Sequence, residues 1–390
     1  MNRIKQSLIC CACMLWVCQA LAQDTRVQRI HEEALVIDAH NDVLYRSVMR
    51  GKDIGRRIQT GHSDLPRLRE GGVDVQVFAV WCDEKYGEGT AFAYANKQID
   101  ALMSVIRDYP GAIALATDVK SIKQVVSQGK IAALIGIEGG HMIESRIDYL
   151  DSLFKRGARY LTLTWNNSLP WASSATDEAR NPQRLKHKGL NDFGRQVVRR
   201  MNELGMMVDL SHVGRQTFFD VMQVTTKPIL VSHSNAYALM AHPRNLQDDQ
   251  IKAVAENGGV ICLNFYSGFL DPIHYAKINQ LYKKYVAVHD TVKRSTDAKY
   301  NLLPPTAKEQ LRPSLSILLD HIDYMVNVAG INHVGIGSDF DGITSTPKGL
   351  DDCRDFPKIT AGLLQRGYSE ADIRKILGEN VLRVMEAQEE

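Results

Sequence analysis

The sequence predicts an α/β fold, a (β/α)8 TIM-type barrel with helical insertions, and three observations predict it. Eight short apolar runs recur along the chain, at 34–38, 73–80, 131–137, 159–164, 206–210, 228–231, 259–264 and 333–337. Most are unbroken stretches of Val, Ile, Leu and Ala, not apolar–polar alternations, which is the pattern of parallel strands buried on both faces. Helix-like segments separate most of them, and 390 residues accommodate a barrel with insertions.

Taken in order, the first run leads into Ile37-Asp38-Ala39-His40-Asn41-Asp42. Residues 43–70, rich in Arg, Lys and Gly, then exceed what a minimal barrel needs before the second run. A helix is expected over 95–108. The third run ends at Glu138 before Gly139-Gly140-His141, and the fourth at Leu163-Thr164-Trp165. A helix over 192–204 precedes the fifth run, which leads to Asp209-Leu210-Ser211-His212. The sixth leads to Ser232-His233-Ser234. After a helix over 248–255, the seventh run leads to Asn264-Phe265-Tyr266. A second insertion, 267–312, begins as a charged amphipathic helix from His274, and Pro304-Pro305 is expected to close it. The eighth run leads to Ser338-Asp339-Phe340-Asp341-Gly342. There is no internal repeat and no low-complexity tract.

Lys plus Arg total 47 against 45 Asp plus Glu, a net charge of +2. That balance offers nothing to a nucleic acid or a membrane surface and favours a small-molecule substrate. At the N-terminus, Arg3 and Lys5 precede an apolar run from Leu8 to about Ala20, and Ala20-Leu21-Ala22 has small residues where a signal peptidase reads. Residues 1–22 are therefore read as a signal peptide and 23–390 as one barrel domain, periplasmic or secreted. The run is shorter than the ~20 residues of a spanning helix, so no membrane span is expected in the mature chain. The last residues, Glu386 to Glu390, offer no hydrophobic tail for a lipid anchor. Only Cys82, Cys262 and Cys353 lie beyond residue 22, so this is no disulfide scaffold.

In a barrel of this kind the active site lies at the C-terminal ends of the strands. There the sequence places His40, Asp42, Glu138, His212, His233 and Asp339. A lone histidine at a strand end is commonly structural, and a glutamate before Gly-Gly could simply suit a helix N-terminus. Three histidines and three carboxylates at one mouth are a different matter, because imidazole and carboxylate are the ligands that suit Zn2+. Two zinc ions need a bridge, and Glu138, on a strand between the two ligand groups, has two oxygens to offer. A hydroxide held between two metals is a nucleophile at neutral pH. Asp339 can then take the proton from the attacking water and deliver it to the leaving amine.

At these residues the chain resembles the membrane (renal) dipeptidase family, a binuclear zinc branch of the amidohydrolase-type barrels. The matching stretches run from Ile37-Asp38-Ala39-His40-Asn41-Asp42 to Gly378-Glu379-Asn380-Val381-Leu382-Arg383-Val384-Met385. The resemblance implies one zinc held by His40, Asp42 and Glu138 and a second held by Glu138, His212 and His233. It further implies that Arg244, in His242-Pro243-Arg244-Asn245, grips the substrate carboxylate, a task suited to its planar fork. Asp339 would be the acid/base.

One departure stands out. Where the family carries Leu-Thr-His, this chain has Leu163-Thr164-Trp165. The family histidine is expected to contact the substrate carbonyl, and Trp165 offers only an indole N–H. Trp165 is therefore read as a substrate-binding residue that shapes the pocket, with Asn166, Asn167 and Trp171 as neighbours. Some relatives pair a cysteine just after that histidine with one after the second strand. No cysteine stands near Trp165, so Cys82 is expected to be reduced. His141 and Asp341 are read as groups that orient ligands, and Tyr266 as a core aromatic. The expected activity is zinc-dependent hydrolysis of dipeptides. The alternatives are deacylation of N-acyl amino acids on the same metals and a non-catalytic barrel that only binds. The oligomeric state is left open between monomer and homodimer.

Overall fold

The structure, a computed structural model, describes residues 24–286 and 294–390, so the expected signal peptide at 1–22 lies outside the described residues. Nine strands form one parallel sheet: β1 (Ile37–Asn41), β2 (Val75–Trp81), β3 (Ile113–Leu115), β4 (Ile131–Glu138), β5 (Ala158–Thr162), β6 (Met207–Asp209), β7 (Leu230–Val231), β8 (Val260–Leu263) and β9 (Val334–Ile336). Eight of them follow the order β1-β2-β4-β5-β6-β7-β8-β9, and β3 pairs with β4 off that path. The ends meet just beyond β9, where Asn41 bridges Phe340 in parallel. The Asp42 N–H donates to the Phe340 carbonyl at 2.9 Å and the Asp339 N–H to the His40 carbonyl at 3.1 Å. The sheet is thus a barrel of TIM type, as its apolar runs predict.

Strand β4 shows why the runs are continuous. Ile131, Ala133, Ile135 and Ile137 pack outward against the helical layer, while Ala132 and Leu134 join the barrel interior with Ile37, Val75, Tyr160 and Met207. Successive side chains alternate between two faces, and both faces are covered. Glu138 shares the parity of Ala132 and Leu134, which turns it inward at the mouth. Near the N-terminal ends of the strands, the helix Asn380–Glu389 adds Val381, Val384 and Met385 to the interior layer.

Three expectations are corrected. The ladder begins at Ile37, not at 34, and His40 therefore lies within β1; the Val36 N–H goes to the Asp74 carboxylate at 2.8 Å. Strand β3 was not expected, because three residues carry no periodic signal. Pro304-Pro305 does not close the second insertion. Pro305 opens a helix, Pro305–Gln310, at a position where its missing N–H has no partner to lose. The amphipathic helix expected from His274 spans His274–Tyr285, and with Thr296–Leu302 it builds a small apolar cluster around Ile278, Tyr282, Tyr300 and Leu311. Elsewhere the expected helices stand at Ala91–Asp108, Asp192–Leu204 and Asp248–Asn257. Among the described residues no helix is long and apolar enough to cross a membrane.

Candidate metal centre and active site

The barrel mouth brings His40, Asp42, Glu138, His212 and His233 together, all buried. Each histidine has its Nδ1 engaged behind it. His40 Nδ1 lies 2.8 Å from the Tyr160 hydroxyl, His212 Nδ1 3.1 Å from Asn166 Oδ1, and His233 Nδ1 2.8 Å from Ser232 Oγ. The three Nε2 atoms are thereby turned into the site, as second-sphere partners commonly arrange for metal-binding imidazoles. Tyr160 reaches His40 across Gly136, where any Cβ would stand 2.0 Å from the ring.

Glu138 presents one oxygen to each side. Its Oε2 is 3.5 Å from His40 Nε2, while its Oε1 is 2.9 Å from His212 Nε2 and 3.6 Å from His233 Nε2. His40 Nε2 is also 3.5 Å from Asp42 Oδ2. Among the described residues it is buried without a hydrogen-bond partner, a costly state for such an atom. Ligand bonds of about 2.0–2.1 Å in a tetrahedral zinc site put the donor atoms roughly 3.4 Å apart, so these separations fit an ion. Two triads have donor atoms all within 4.8 Å of one another: His40, Glu138 and His233, and His40, Asp42 and Asp339. These triads divide the cluster differently from the two sets implied by the resemblance, and they bring Asp339 within ligand range.

The electrostatics match the donor chemistry at His212 and His233 but not at His40, where burial is outweighed by Tyr160, Glu138 and Asp42, which raise the imidazole well above its usual range. Burial lowers the His212 pKa to about 4, helped by the nearby Arg244 charge, and drives His233 well below the usual imidazole range. Both rings are thus unprotonated, as ligands must be. Burial works against the Glu138 charge, but the charge on His40 and the hydrogen bonds from His212 and His40 outweigh it and hold the carboxyl low. Asp339 goes the other way: burial, and then the Asp42 charge, raise it well above the carboxylate range. A bound dication would oppose that rise.

Two carboxylates that the sequence reading passed over hold the ligand loops. Asp38 accepts the Ser338 N–H at 2.8 Å and the Ser338 hydroxyl at 2.7 Å, tying β1 to the loop that carries Asp339. Asp209 accepts the N–H groups of Ser211 at 3.1 Å and Ser232 at 2.8 Å, tying the His212 and His233 loops together. Each sits two or three residues before a histidine, a spacing that could have drawn attention to it. The loops themselves are strained: His212, Asp339 and Asp341 have φ of 66°, 58° and 67°, a region non-glycine residues rarely occupy outside functional sites. Gly342 is required here, since a Cβ would come within 2.2 Å of Asp42 Oδ2 and 2.4 Å of Asp339 Oδ1.

Above the cluster opens a cavity of about 800 Å³. Arg244 forms part of its wall and is only 4% exposed. Its guanidinium donates to Ser234 Oγ and to the His233 carbonyl, both at 3.2 Å, and its Nε has no partner among the described residues. Burial lowers its pKa to about 10, so it remains a cation. Asp339 also lines the cavity, its Oδ2 accepting from Asn264 Nδ2 at 2.7 Å.

Trp165 lines the cavity too, but its expected companions differ. Trp171 is buried in the core, edge-on to Phe193, and Asn167 is not part of the cavity wall. Asn166 does line it and holds His212. The actual neighbour of Trp165 is Trp81, with ring centroids 5.0 Å apart. Sequence could not show this, because the two tryptophans leave different strands. Tyr266, read as a core aromatic, stands on the cavity wall. His141 orients no ligand: its Nε2 lies 3.0 Å from the Cys82 carbonyl. Cys82 itself is a free, buried thiol, as expected, and so are Cys262 and Cys353. Asp341 accepts the His62 N–H through Oδ1 at 2.9 Å, while its buried Oδ2 has no partner among the described residues.

Imidazoles and carboxylates converging at the mouth of a parallel eight-stranded barrel define a metal-dependent hydrolase. The model of the membrane dipeptidase family, peptidase family M19, matches residues 24–390, and the chain belongs to that family. It is a metallopeptidase that acts on dipeptides. Among solved structures it is similar to dipeptidase AC, also of family M19, at 26% identity and a TM-score of 0.74 over 91% of this chain and 98% of the other. It shares its fold with the probable dipeptidase PvdM from Pseudomonas aeruginosa, at 24% identity and a TM-score of 0.78 over 94% and 98% of the two chains. A metallo peptidase from Rhodobacter sphaeroides, liganded with a phosphinate mimic of the dipeptide L-Ala-D-Ala, has the same fold at 24% identity and a TM-score of 0.74, over 91% and 99%.

Proposed function

We propose that the chain is a two-zinc dipeptidase whose metals are held by His40, Asp42, Glu138, His212 and His233. The observation that carries this is the pairing of that cluster with a buried arginine in one cavity. Glu138 is the shared ligand in this reading, since its Oε2 faces His40 and its Oε1 faces His212 and His233. When bound, zinc would polarise the scissile carbonyl and bring the pKa of a water towards about 7.

The remaining work falls to the chain's own residues. Arg244 is buried and forms no ion pair among the described residues, and a free C-terminal carboxylate is the group that would pair with it through two parallel hydrogen bonds. That contact fixes the scissile peptide above the cluster. Asp339, held through Oδ2 by Asn264, accepts the proton of the attacking water and passes it to the leaving amine. Asp341 lines the cavity and its buried Oδ2 has no partner among the described residues, so this carboxylate is an acceptor suited to the α-ammonium at the other end. A cation and an anion lining one cavity suit a zwitterion, which favours a dipeptide over an N-acyl amino acid. We also propose that residues 1–22 are removed on export and that the mature enzyme works in the periplasm or outside the cell.

The test compares a free dipeptide with its C-terminally amidated and N-acetylated forms, using the zinc-loaded protein. The free dipeptide should be turned over at least about tenfold more efficiently than either. Equal turnover of the N-acetylated form would favour the deacylase reading, and equal turnover of the amide would remove Arg244 from carboxylate binding.

A further inference from the structure

We infer that the side of the cavity facing Arg244 is a subsite for an aromatic side chain on the N-terminal residue of the dipeptide, built from Tyr45, Trp81 and Trp165. The inference rests on the dipeptidase reading above.

The barrel order sets the geometry. Arg244 lies on the connection between β7 and β8, and β2 stands four strands from β7 in either direction round the ring. Trp81 is the last residue of β2, Tyr45 follows β1, and Trp165 follows β5. With the C-terminal carboxylate at Arg244 and the scissile carbonyl above the histidines, the N-terminal residue extends away from Arg244 across the mouth, towards Trp81 and the two rings that flank it.

The three rings make one surface. Tyr45 meets Trp81 edge-on at 4.5 Å, and Trp81 meets Trp165 at 5.0 Å and 57°. Trp165 comes within 6.3 Å of the His212 ring, so the surface begins at the edge of the proposed metal cluster. All three line the cavity and are only half-buried, which leaves apolar faces for a substrate to cover. Such rings could also receive a cation, but the charges beside Tyr45 oppose it. Arg46 lines the cavity beside Tyr45, and the Arg50 guanidinium stands 5.6 Å from the Tyr45 ring. A lysine or arginine side chain would meet these two cations at Tyr45, against the attraction of Asp42 and Glu138 deeper in the cavity, whereas a neutral aromatic ring gains stacking and burial.

The experiment measures kcat/KM of the zinc-loaded enzyme on Phe-Ala, Lys-Ala, Gly-Ala, Ala-Phe and Ala-Gly, with both L and D C-terminal residues where they differ. Phe-Ala should exceed Gly-Ala and Lys-Ala by about tenfold or more. In Trp165→Ala and in Trp81→Leu that ratio should fall to about threefold or less, while the Ala-Phe to Ala-Gly ratio keeps its wild-type value. General damage to the fold would lower all rates without selectively erasing the N-terminal ratio. An unchanged N-terminal ratio in both variants, or no wild-type preference at that position, overturns the subsite and leaves the dipeptidase reading standing. Failure to cleave any of the dipeptides would overturn both.

Discussion

A buried guanidinium without a carboxylate partner is an expensive group to keep in the free protein, so Arg244 defines the most sensitive single-residue test. Arg244→Lys replaces a planar fork with a point charge, and KM should rise more than kcat falls; equal kinetics on free and amidated dipeptides would contradict it. Asp339→Asn keeps the shape and loses the proton carrier. It should retain metal while turnover drops ~10²–10⁴-fold, and a variant within a few-fold of wild type would make Asp339 structural. Asp341→Asn preserves the Oδ1 acceptor for the His62 N–H and changes only the unpartnered Oδ2 side. Its expected signature is selective: KM should rise for a dipeptide with a free amine, and barely move for the same molecule lacking it. Trp165→His asks what the departure from the family motif is for. If Trp165 serves specificity, the substitution should lower activity on an N-terminally aromatic dipeptide, and wild type should be slow on simple L,L dipeptides. Wild-type efficiency of ~10⁵ M⁻¹s⁻¹ on those simple substrates would show that the missing histidine costs nothing.

At the scale of elements, the ligand loops owe their positions to two carboxylates beneath them. Asp209 satisfies two backbone N–H groups and the hydroxyls of Ser232 and Thr162, all buried. Asp209→Ala would strand these donors, with a cost of roughly 3 kcal/mol or more. The loops after β6 and β7 should lose their common anchor, so His212 and His233 should bind metal more weakly. Denaturant unfolding and metal titration of the variant measure both effects, and a loss of stability without any loss of metal affinity would separate the anchor from the site. The same logic explains the positive φ values of His212 and Asp339. Strain of this kind persists only where surrounding contacts over-determine it, and the Asp38–Ser338 and Asp209–Ser232 bonds do so.

For the whole molecule, the apolar layers on both sides of the strands stand apart from the cluster of ligands at the mouth. Removal of metal by a chelator should therefore abolish activity and leave a folded barrel with a lower Tm, because metal that binds only the native state stabilises it by mass action. Elemental analysis of the native protein should find close to two zinc ions per chain. If one carboxylate serves two metals, Glu138→Gln should reduce occupancy of both sites together; loss of a single ion would refute the shared ligand.

The barrel was legible in the sequence because strands buried on both faces must be apolar throughout, and eight such runs leave few other architectures. The positions of His40, Asp42, Glu138, His212, His233 and Asp339 were legible for a related reason: the C-terminal end of each strand faces the same mouth, so position along a strand implies position in space. Strand β3 was too short to signal, and the shift of β1 depended on where the Val36 N–H found its acceptor. What lies beside what across the mouth was decided only by the tertiary structure. Closure of the ring put Trp81 beside Trp165, took Trp171 into the core, turned Tyr266 to the cavity and gave His141 to the Cys82 carbonyl. Periodicity along a chain carries the burial of each residue, but contacts between loops from different strands depend on the order and closure of the barrel.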